Sequence, residues 1–149
     1  MAYSRYKESI TWFAKKTNIN ENHDVSSFHN LVRGHVAFAE FGENIGDEKN
    51  LLRPVLIISN DRQNSKSNCI IAAPMTNADN KKDVNGKIKL LATHALLEKS
   101  VFNFLKSSSI VQFENMRSIS KARVGKPIGY IDKISMTALE KYIKEAVGI

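Results

Sequence analysis

GDEKNLLRPVLIISND, residues 46–61, is the stretch that decides the fold, because a charged loop changes within it into a run of large apolar residues. The run Val55–Ile58 predicts a strand that is buried on both faces. Arg53 stands just before this run, and Pro54 biases it away from helical geometry because a proline restricts the residue before it. The stretch therefore predicts a long cation held in an extended conformation at the edge of the core.

Arg53 could serve either chemistry or structure. Its guanidinium could bind a phosphate or stabilise charge that develops during a reaction, because it presents several donors in a fixed geometry. It could also pair with Glu48, a few residues upstream in the same loop, as an ordinary salt bridge. Charged loops are common and surface pairs are usually structural, so from these residues alone the salt bridge is the more frequent outcome.

Composition predicts one ordinary globular domain. The chain has 149 residues, of which 42% are hydrophobic and 25% are charged. Its one cysteine, Cys69, excludes an intrachain disulfide and a cysteine-rich zinc site, and its apolar surroundings predict a small core residue. A reducing cytoplasm fits this cysteine usage. The sequence shows neither a secretory leader nor a long uncharged apolar segment, so we expect no membrane association.

Positive charge is concentrated in the second half of the chain. Residues 81–126 carry ten Lys/Arg against three Asp/Glu, whereas the remaining residues balance at 12 of each. Phe102, Phe104, Phe113 and Tyr130 lie in or beside this basic region. Cations that hold phosphates, with aromatic rings that stack on unpaired bases, would suit single-stranded nucleic acid. A lysine-rich solvent surface over a core that uses these rings accounts for the pattern equally well.

Residues 1–32 predict a helical extension. A helix is expected from about Arg5 to Thr17, with one apolar stripe that must pack on the rest of the protein. We expect the stripe to brace its own domain or a dimer; the alternative is a lid over residues 42–52. A short second helix is expected within residues 24–32, before Gly34. The stripe consists of Tyr6, Ile10, Phe13 and Ala14.

From His35 onward the hydrophobic period changes from that of a helix to two, which is typical of strands. Residues 54–59 and 69–74 predict two strands joined by a polar turn over residues 60–66. Weaker strands are expected at residues 88–95 and 109–113, and a C-terminal helix is expected after Ser135 as its cap. Several short strands closed by one helix predict an α+β, mainly β fold, a partly open SH3-like β-barrel with an added N-terminal helical extension.

Several motifs, in order and in register, resemble the MazF/PemK family of bacterial toxins. The resemblance covers residues 33–149, apart from extra residues around 79–90, and leaves residues 1–32 outside. It implies the toxin of a toxin–antitoxin pair, a cytoplasmic homodimer that cleaves single-stranded RNA without a metal or other cofactor. It also implies a cognate antitoxin protein as partner. The motifs are Arg33-Gly34, Gly46-Asp47-Glu48, Arg53-Pro54-Val55, Asn60-Asp61, Ala72–Thr76, Thr93-His94 and Glu114–Ile119.

The resemblance assigns roles to individual residues. Arg53 matches the catalytic arginine of the family and Thr76 its threonine, while Glu48 matches the glutamate of its catalytic loop. Asn115 and Ser120 depart from the usual glutamine and aspartate, and Asp47 lacks the ability of a histidine to carry a proton near pH 7. The residues expected to bind RNA are Asp47, Lys49, Asn77, Glu114, Asn115, Arg117 and Ser118.

The chemistry expected of such an enzyme fits these residues. RNA supplies its own nucleophile, the 2′-OH, so the protein needs a base, stabilisation of a pentacoordinate phosphorane and an acid for the leaving 5′-oxygen. Arg53 and Thr76 would stabilise the phosphorane, and Glu48 or Glu114 would be the base. His35 and His94 allow a histidine-based scheme, although the strand position of His35 favours a structural role. No spacing of ligands indicates a metal site.

A non-enzymatic binder is the competing function. The related CcdB-like fold poisons gyrase, and a barrel with a basic surface could simply bind nucleic acid. A pair such as Arg53 and Thr76 at adjacent strand ends favours cleavage, because a gyrase poison has no need of it.

Overall fold

Seven strands form one curled antiparallel sheet within residues 2–149, the part of the chain that the computed structural model describes. Met1, the first residue of the predicted extension, lies outside the described residues. The spatial order is β4-β5-β3-β2-β1-β7, and β6 pairs with the first half of β3. The strands are β1 His35–Glu40, β2 Leu52–Ile57, β3 Cys69–Asn77, β4 His94–Leu97, β5 Ser109–Gln112, β6 Arg117–Ser120 and β7 Gly129–Tyr130.

Three α-helices flank the sheet among the described residues: α1 (Ala2–Asn22), α2 (Asp61–Lys66) and α3 (Lys133–Val147). Short 3₁₀ turns connect several strands, and they lie at Val25–Ser27, Ala78–Lys81, Phe113–Asn115 and Lys121–Arg123. In the described part of the chain, no helix is both long and apolar enough to cross a bilayer.

The strand predicted from Val55–Ile58 is buried on both faces, as expected. Val55 and Ile57 face one core cluster, which also contains Ala37 and Ile70, and Leu56 faces the other. Each of these five side chains has no accessible surface. Successive side chains of a strand point to opposite faces of the sheet. Because both faces are buried here, no position favours a polar residue, and the run is continuously apolar.

The sheet curls because β3 changes partners along its length. Its first residues, Cys69–Ala72, pair with β6, whereas Met75–Asn77 pair with β5. Helix α3 then packs on the Leu56 side of the sheet through Met136 and Leu139. The result is a half-barrel with a C-terminal helix, which confirms the predicted fold class.

Three local predictions were wrong. Cys69 is exposed rather than in the core, because at the start of β3 it is Ile70 that enters the core. Residues 60–66 form helix α2 rather than a turn, since the Asn60 side chain caps it by accepting a hydrogen bond from the Gln63 N–H. Helix α3 begins before the predicted cap, because the Asp132 carboxylate accepts from the Ser135 N–H and takes the capping role.

The N-terminal extension differs from the prediction in two ways. Helix α1 runs over Ala2–Asn22, which is longer than expected, and the second helix is reduced to the 3₁₀ turn Val25–Ser27. Leu31 is only 2% exposed and belongs to the core cluster of Val55. The division of the chain at residue 32 stays a prediction.

Helix α1 does not bury the predicted stripe on its own domain. Tyr6, Ile10 and Phe13 are 72%, 67% and 71% exposed. The helix docks instead through Trp12, whose ring lies so close to Gly42 that a Cβ there would come within 2.3 Å of it. Lys15 adds an ion pair with Glu40, with 2.6 Å between Nζ and Oε2. One large ring thus replaces the stripe as the contact, and packing of the stripe across a dimer stays a prediction.

Deleting residues 1–22 should leave the half-barrel folded. The deletion removes one docked tryptophan and one partly exposed ion pair but keeps Leu31, so we expect a loss of about 1–3 kcal/mol of unfolding free energy. Thermal unfolding monitored by circular dichroism measures this loss. A truncated protein that cannot fold would show instead that α1 is a required structural brace.

Candidate active site

Arg53 and Thr76 are brought together by the pairing of β2 with β3. The two strands are antiparallel, with Val55 opposite Pro74. The pairing ends there, because from Met75 onward β3 pairs with β5 instead. Arg53 and Thr76 both line one open cleft of about 510 Å³, here called the Arg53 cleft. Two residues that are distant in sequence therefore share one surface, as the resemblance requires of a catalytic pair.

The guanidinium of Arg53 is held at one nitrogen only. Its Nε donates a hydrogen bond to the Asn50 carbonyl oxygen at 2.5 Å, within the same loop. Among the described residues, neither Glu48 nor any other carboxylate forms an ion pair with it. The alternative of a salt bridge with Glu48 is therefore wrong for this structure. Two Nη groups remain to donate to an anion in the cleft.

Glu48 lies on a neighbouring concavity rather than in the Arg53 cleft. This second concavity, here called the Arg117 hollow, has a volume of about 430 Å³ and is lined by Glu48, Lys49, Asn115 and Arg117. The Glu48 Oε2 accepts a hydrogen bond from the Ile45 N–H at 2.9 Å, which leaves Oε1 to accept a proton or a hydroxyl. The predicted base is thus oriented by its own loop.

Lys49 lines the Arg117 hollow and interacts electrostatically with Arg53 of the neighbouring cleft. Burial lowers its pKa from the ordinary value, and the positive charges of Arg53 and Lys81 lower it further. Glu114 and Asp47 oppose these effects without cancelling them. The charge of Lys49 is therefore repelled by both Arg53 and Lys81. A bound phosphate would relieve this repulsion.

The carboxylate of Glu114 is held by hydrogen bonds, which makes it a poor base. Thr93 Oγ1 donates to its Oε2 and His94 Nε2 to its Oε1, both at 2.8 Å. Burial alone would raise the pKa of Glu114, but hydrogen bonds from His94 and Thr93 lower it below the ordinary value. A carboxylate with a lowered pKa accepts a proton less readily, so of the two predicted bases the geometry favours Glu48.

Neither strand histidine is free to transfer a proton. His94 is 3% exposed, and its Nδ1 accepts from the Leu91 N–H, so Nε2 carries the proton that is donated to Glu114. His35 accepts from the Val32 N–H through Nδ1, and burial lowers its pKa. Each ring has a structural hydrogen-bond partner at Nδ1, which disfavours the histidine-based scheme.

The residues expected to bind RNA are distributed over both concavities. Asn115 and Arg117 line the Arg117 hollow, where the Arg117 guanidinium lies 5.7 Å above the centre of the Phe41 ring. Asn77 lines the Arg53 cleft, and its side chain also accepts from the Asp79 N–H. Asp47 is exposed in the loop before β2. Ser118, opposite Ile71, lines neither concavity.

Sequence patterns missed several residues of the Arg53 cleft. Its wall includes Phe38 from β1, Phe104 and Lys106 from the β4–β5 connection, and Ile128 before β7. Phe38 and Ile128 carried no signal in the sequence, whereas Phe104 and Lys106 belong to the basic, aromatic pattern around residues 81–126, which did not indicate this cleft. In the described part of the chain, no cluster of three or more His, Cys, Asp or Glu is arranged to hold a metal ion.

The comparisons with known proteins agree with this geometry. A family model described as "PemK-like, MazF-like toxin of type II toxin-antitoxin system" matches residues 32–147. The chain belongs to this family. The match leaves helix α1 outside the family domain and places Arg53, Thr76 and both concavities inside it.

Other members of the PemK/MazF family are similar along most of the chain. A protein named Endoribonuclease MazF from Staphylococcus saprophyticus is 30% identical over 119 residues, which cover 80% of this chain and 92% of that one. A MazF crystal structure from Deinococcus radiodurans has a TM-score of 0.64 at 18% identity, covering 81% and 99% of the two chains. A mycobacterial endoribonuclease, solved with its cognate antitoxin, has a TM-score of 0.59 at 19% identity, covering 80% and 96%.

The hydrogen bonds to the Glu114 carboxylate predict that the stability of the fold depends on pH. Its pKa in the folded protein lies below the ordinary glutamate value of 4.5, so its carboxylate stabilises the fold above that pH. This stabilisation is lost as the pH falls through the folded pKa. Glu114→Gln should therefore lower the melting temperature at pH 7, and the difference from wild type should shrink towards pH 3.

Glu145→Gln is the matched control, because Glu145 is exposed on α3 and takes no part in this network. Thermal unfolding is followed for all three proteins across the pH series. An equal melting temperature for wild type and Glu114→Gln at pH 7 would show that the hydrogen bonds to Glu114 do not stabilise the fold.

Proposed function

We propose that this PemK/MazF-family protein is a toxin that cleaves single-stranded RNA. The observation that carries the proposal is that Arg53 and Thr76 line the same cleft, with the Nη groups of Arg53 unpaired among the described residues. Proteins of similar sequence named Endoribonuclease MazF support the same activity. The fold and the basic surface alone would not distinguish an enzyme from a binder.

The reaction proceeds by internal attack of the RNA. Glu48 takes the proton of a 2′-OH, whose oxygen attacks the adjacent phosphorus, and the bond to the 5′-oxygen breaks. The leaving 5′-oxygen gains a proton. The products are therefore a 2′,3′-cyclic phosphate and a 5′-OH. Arg53 and Thr76 donate hydrogen bonds to the phosphorane oxygens, where negative charge develops. The cations Lys49 and Lys81 stabilise the same charge, so the scheme requires no metal.

The proposed partners follow from the family and the site. The cognate antitoxin is a second protein that masks the two concavities. A mycobacterial endoribonuclease of similar fold was solved with its own cognate antitoxin, which supports an antitoxin as partner. A second copy of the chain forms a homodimer. The substrate is mRNA, which places the toxin in the bacterial cytoplasm.

A single assay tests the activity. Purified protein is incubated in EDTA with a mixed-sequence single-stranded RNA and with the same RNA annealed to its complement. We expect cleavage of the single strand to terminal 2′,3′-cyclic phosphates, identified by mass spectrometry, and little cleavage of the duplex. Base edges are readable only in unpaired RNA, because the deep groove of an A-form helix hides them.

The reverse results have distinct meanings. Intact RNA after long incubation with excess protein would support the non-catalytic alternative, a CcdB-like inhibitor of a protein target such as gyrase or a nucleic-acid binder. Cleavage that requires a divalent cation would refute the metal-independent scheme. Efficient cleavage of the duplex would refute the single-stranded substrate.

A further inference from the structure

Helix α1, which lies outside the family domain, builds a third concavity that the proposed reaction does not use. The second half of α1 faces the 3₁₀ turn Lys121–Arg123 across a groove of about 440 Å³, here called the α1 groove. This volume lies within the range of ligand pockets, about 300–1,000 Å³. The groove exists only because Trp12 anchors the helix against Gly42.

The chemistry of the α1 groove suits a nucleotide. Phe13 lines it with an aromatic ring that is 71% exposed, and Trp12 lies beneath the Arg123 guanidinium at 5.5 Å. Lys16 adds a second cation beside Arg123. None of the described residues that line the groove carries a carboxylate. An aromatic face for a base, together with cations for a phosphate, is the usual combination in proteins that bind single strands.

The α1 groove is continuous with the candidate active site. Arg123 donates a long hydrogen bond to the Phe41 carbonyl oxygen at 3.5 Å, and Arg117 lies over the ring of the same Phe41. Burial and then the charge of Arg117 lower the pKa of Arg123, whereas the charge of Glu40 raises it. Arg117 in turn lines the Arg117 hollow with Lys49. A row of cations thus leads from Arg53 to Lys16.

We propose that the α1 groove is an additional RNA subsite, which binds a nucleotide flanking the cleaved position through stacking on Phe13 and phosphate contacts from Lys16 and Arg123. The proposal rests on the proposed function for its choice of RNA. A segment of the antitoxin is less suitable as occupant. Its carboxylates could pair with the cations of the groove, but it would have no need of an exposed aromatic ring to stack on. Helix α1 is then more than a brace, since it lengthens the RNA-binding surface of the family domain.

The test compares two matched double variants. Phe13→Ala/Lys16→Ala removes the ring and a cation from the groove but keeps Trp12 and Lys15, which dock the helix. Tyr6→Ala/Lys7→Ala removes the same residue classes from α1 outside the groove. RNA is selected by retention on the wild-type protein from a random pool with 2′-O-methyl riboses, which cannot be cleaved. Fluorescence anisotropy then gives the dissociation constants, for the selected RNA and for versions shortened by one nucleotide at a time from either end.

We expect the groove variant to bind the full RNA roughly 5- to 100-fold more weakly than wild type, in line with the loss of one stacked base. The Tyr6→Ala/Lys7→Ala control should bind within about twofold of wild type, because stacking depends on the groove alone. Shortening the RNA at one end should weaken wild-type binding by a similar factor and should not weaken the groove variant further. If the losses of affinity caused by the groove variant and by the shorter RNA are not additive, the removed nucleotide binds in the α1 groove.

Other outcomes overturn the proposal. Equal RNA affinity for wild type and the groove variant, or fully additive losses, would show that no nucleotide occupies the groove. Unchanged RNA binding with weakened binding of the cognate antitoxin would make it a protein-docking surface. Because the binding assay uses RNA that cannot be cleaved, its result is independent of whether the protein is a nuclease. If the protein cleaves RNA but wild type and the groove variant bind RNA equally well, only the proposed subsite is refuted.

Discussion

Arg53→Ala should lower the rate of RNA cleavage by roughly 10²–10³-fold, the usual cost of removing one preorganised donor to a developing oxyanion. The reason is that Arg53 lines one cleft with Thr76, and its Nη groups have no other partner among the described residues. The fold should persist, because the side chain loses only one hydrogen bond to the Asn50 carbonyl oxygen, about 1 kcal/mol. Initial rates of cleavage of a labelled single-stranded RNA and thermal unfolding measure the two effects.

The control for this prediction is Arg62→Ala, since Arg62 is an exposed arginine on α2 that does not line the Arg53 cleft. It should cleave at the wild-type rate. Arg53→Lys should recover only part of the activity, because an ammonium keeps the charge but loses the planar pair of donors. Wild-type cleavage by Arg53→Ala, or its failure to fold, would assign Arg53 a structural role instead.

Raising the salt concentration from about 50 to 200 mM should weaken RNA binding by roughly 300-fold. Six cations lie along the proposed path: Arg53, Lys49, Lys81, Arg117, Arg123 and Lys16. If each contacts one phosphate, the logarithm of the binding constant should fall with a slope of about −4.2 against the logarithm of salt concentration, at about −0.7 per phosphate of a single strand. Anisotropy titrations at several salt concentrations give the slope.

Removing one cation from the path should change the slope, not only the affinity. Arg117→Ala should reduce its magnitude by about 0.7, whereas Arg62→Ala should leave it unchanged. Of the basic segment 81–126, these contacts use Lys81, Arg117 and Arg123. A flat salt response would refute the cationic path as the RNA-binding surface.

Much of the fold could be predicted from the sequence, because hydrophobic periodicity reports which side chains avoid water. Val55–Ile58 is a strand buried on both faces, and the stripe after Ser135 is helix α3. The family could be recognised as well, since its motifs depend on order and spacing along the chain. Arg53 and Thr76 could be named for the same reason, although their roles in catalysis stay a proposal.

Local polar residues were harder to interpret. Asn60 and Asp132 cap helices, yet the same residue types also form turns, so the pattern at 60–66 allowed both. Cys69 sits in an apolar run but faces outward, because the partners of β3 on each side decide which residues are covered. Sequence alone does not reveal those partners.

Tertiary structure alone decided how the distant parts of the site meet. The pairing of β2 with β3 brings Arg53 and Thr76 into one cleft, and it depends on hydrogen bonds between segments that share no local pattern. Helix α1 shows the same limit: its regular apolar stripe is exposed, while the single Trp12 docks on Gly42. Periodicity identifies an apolar face, but the surface that covers that face is set by the shape of the element opposite. At Gly42 the absence of a side chain leaves room for one indole ring, and that contact creates the α1 groove.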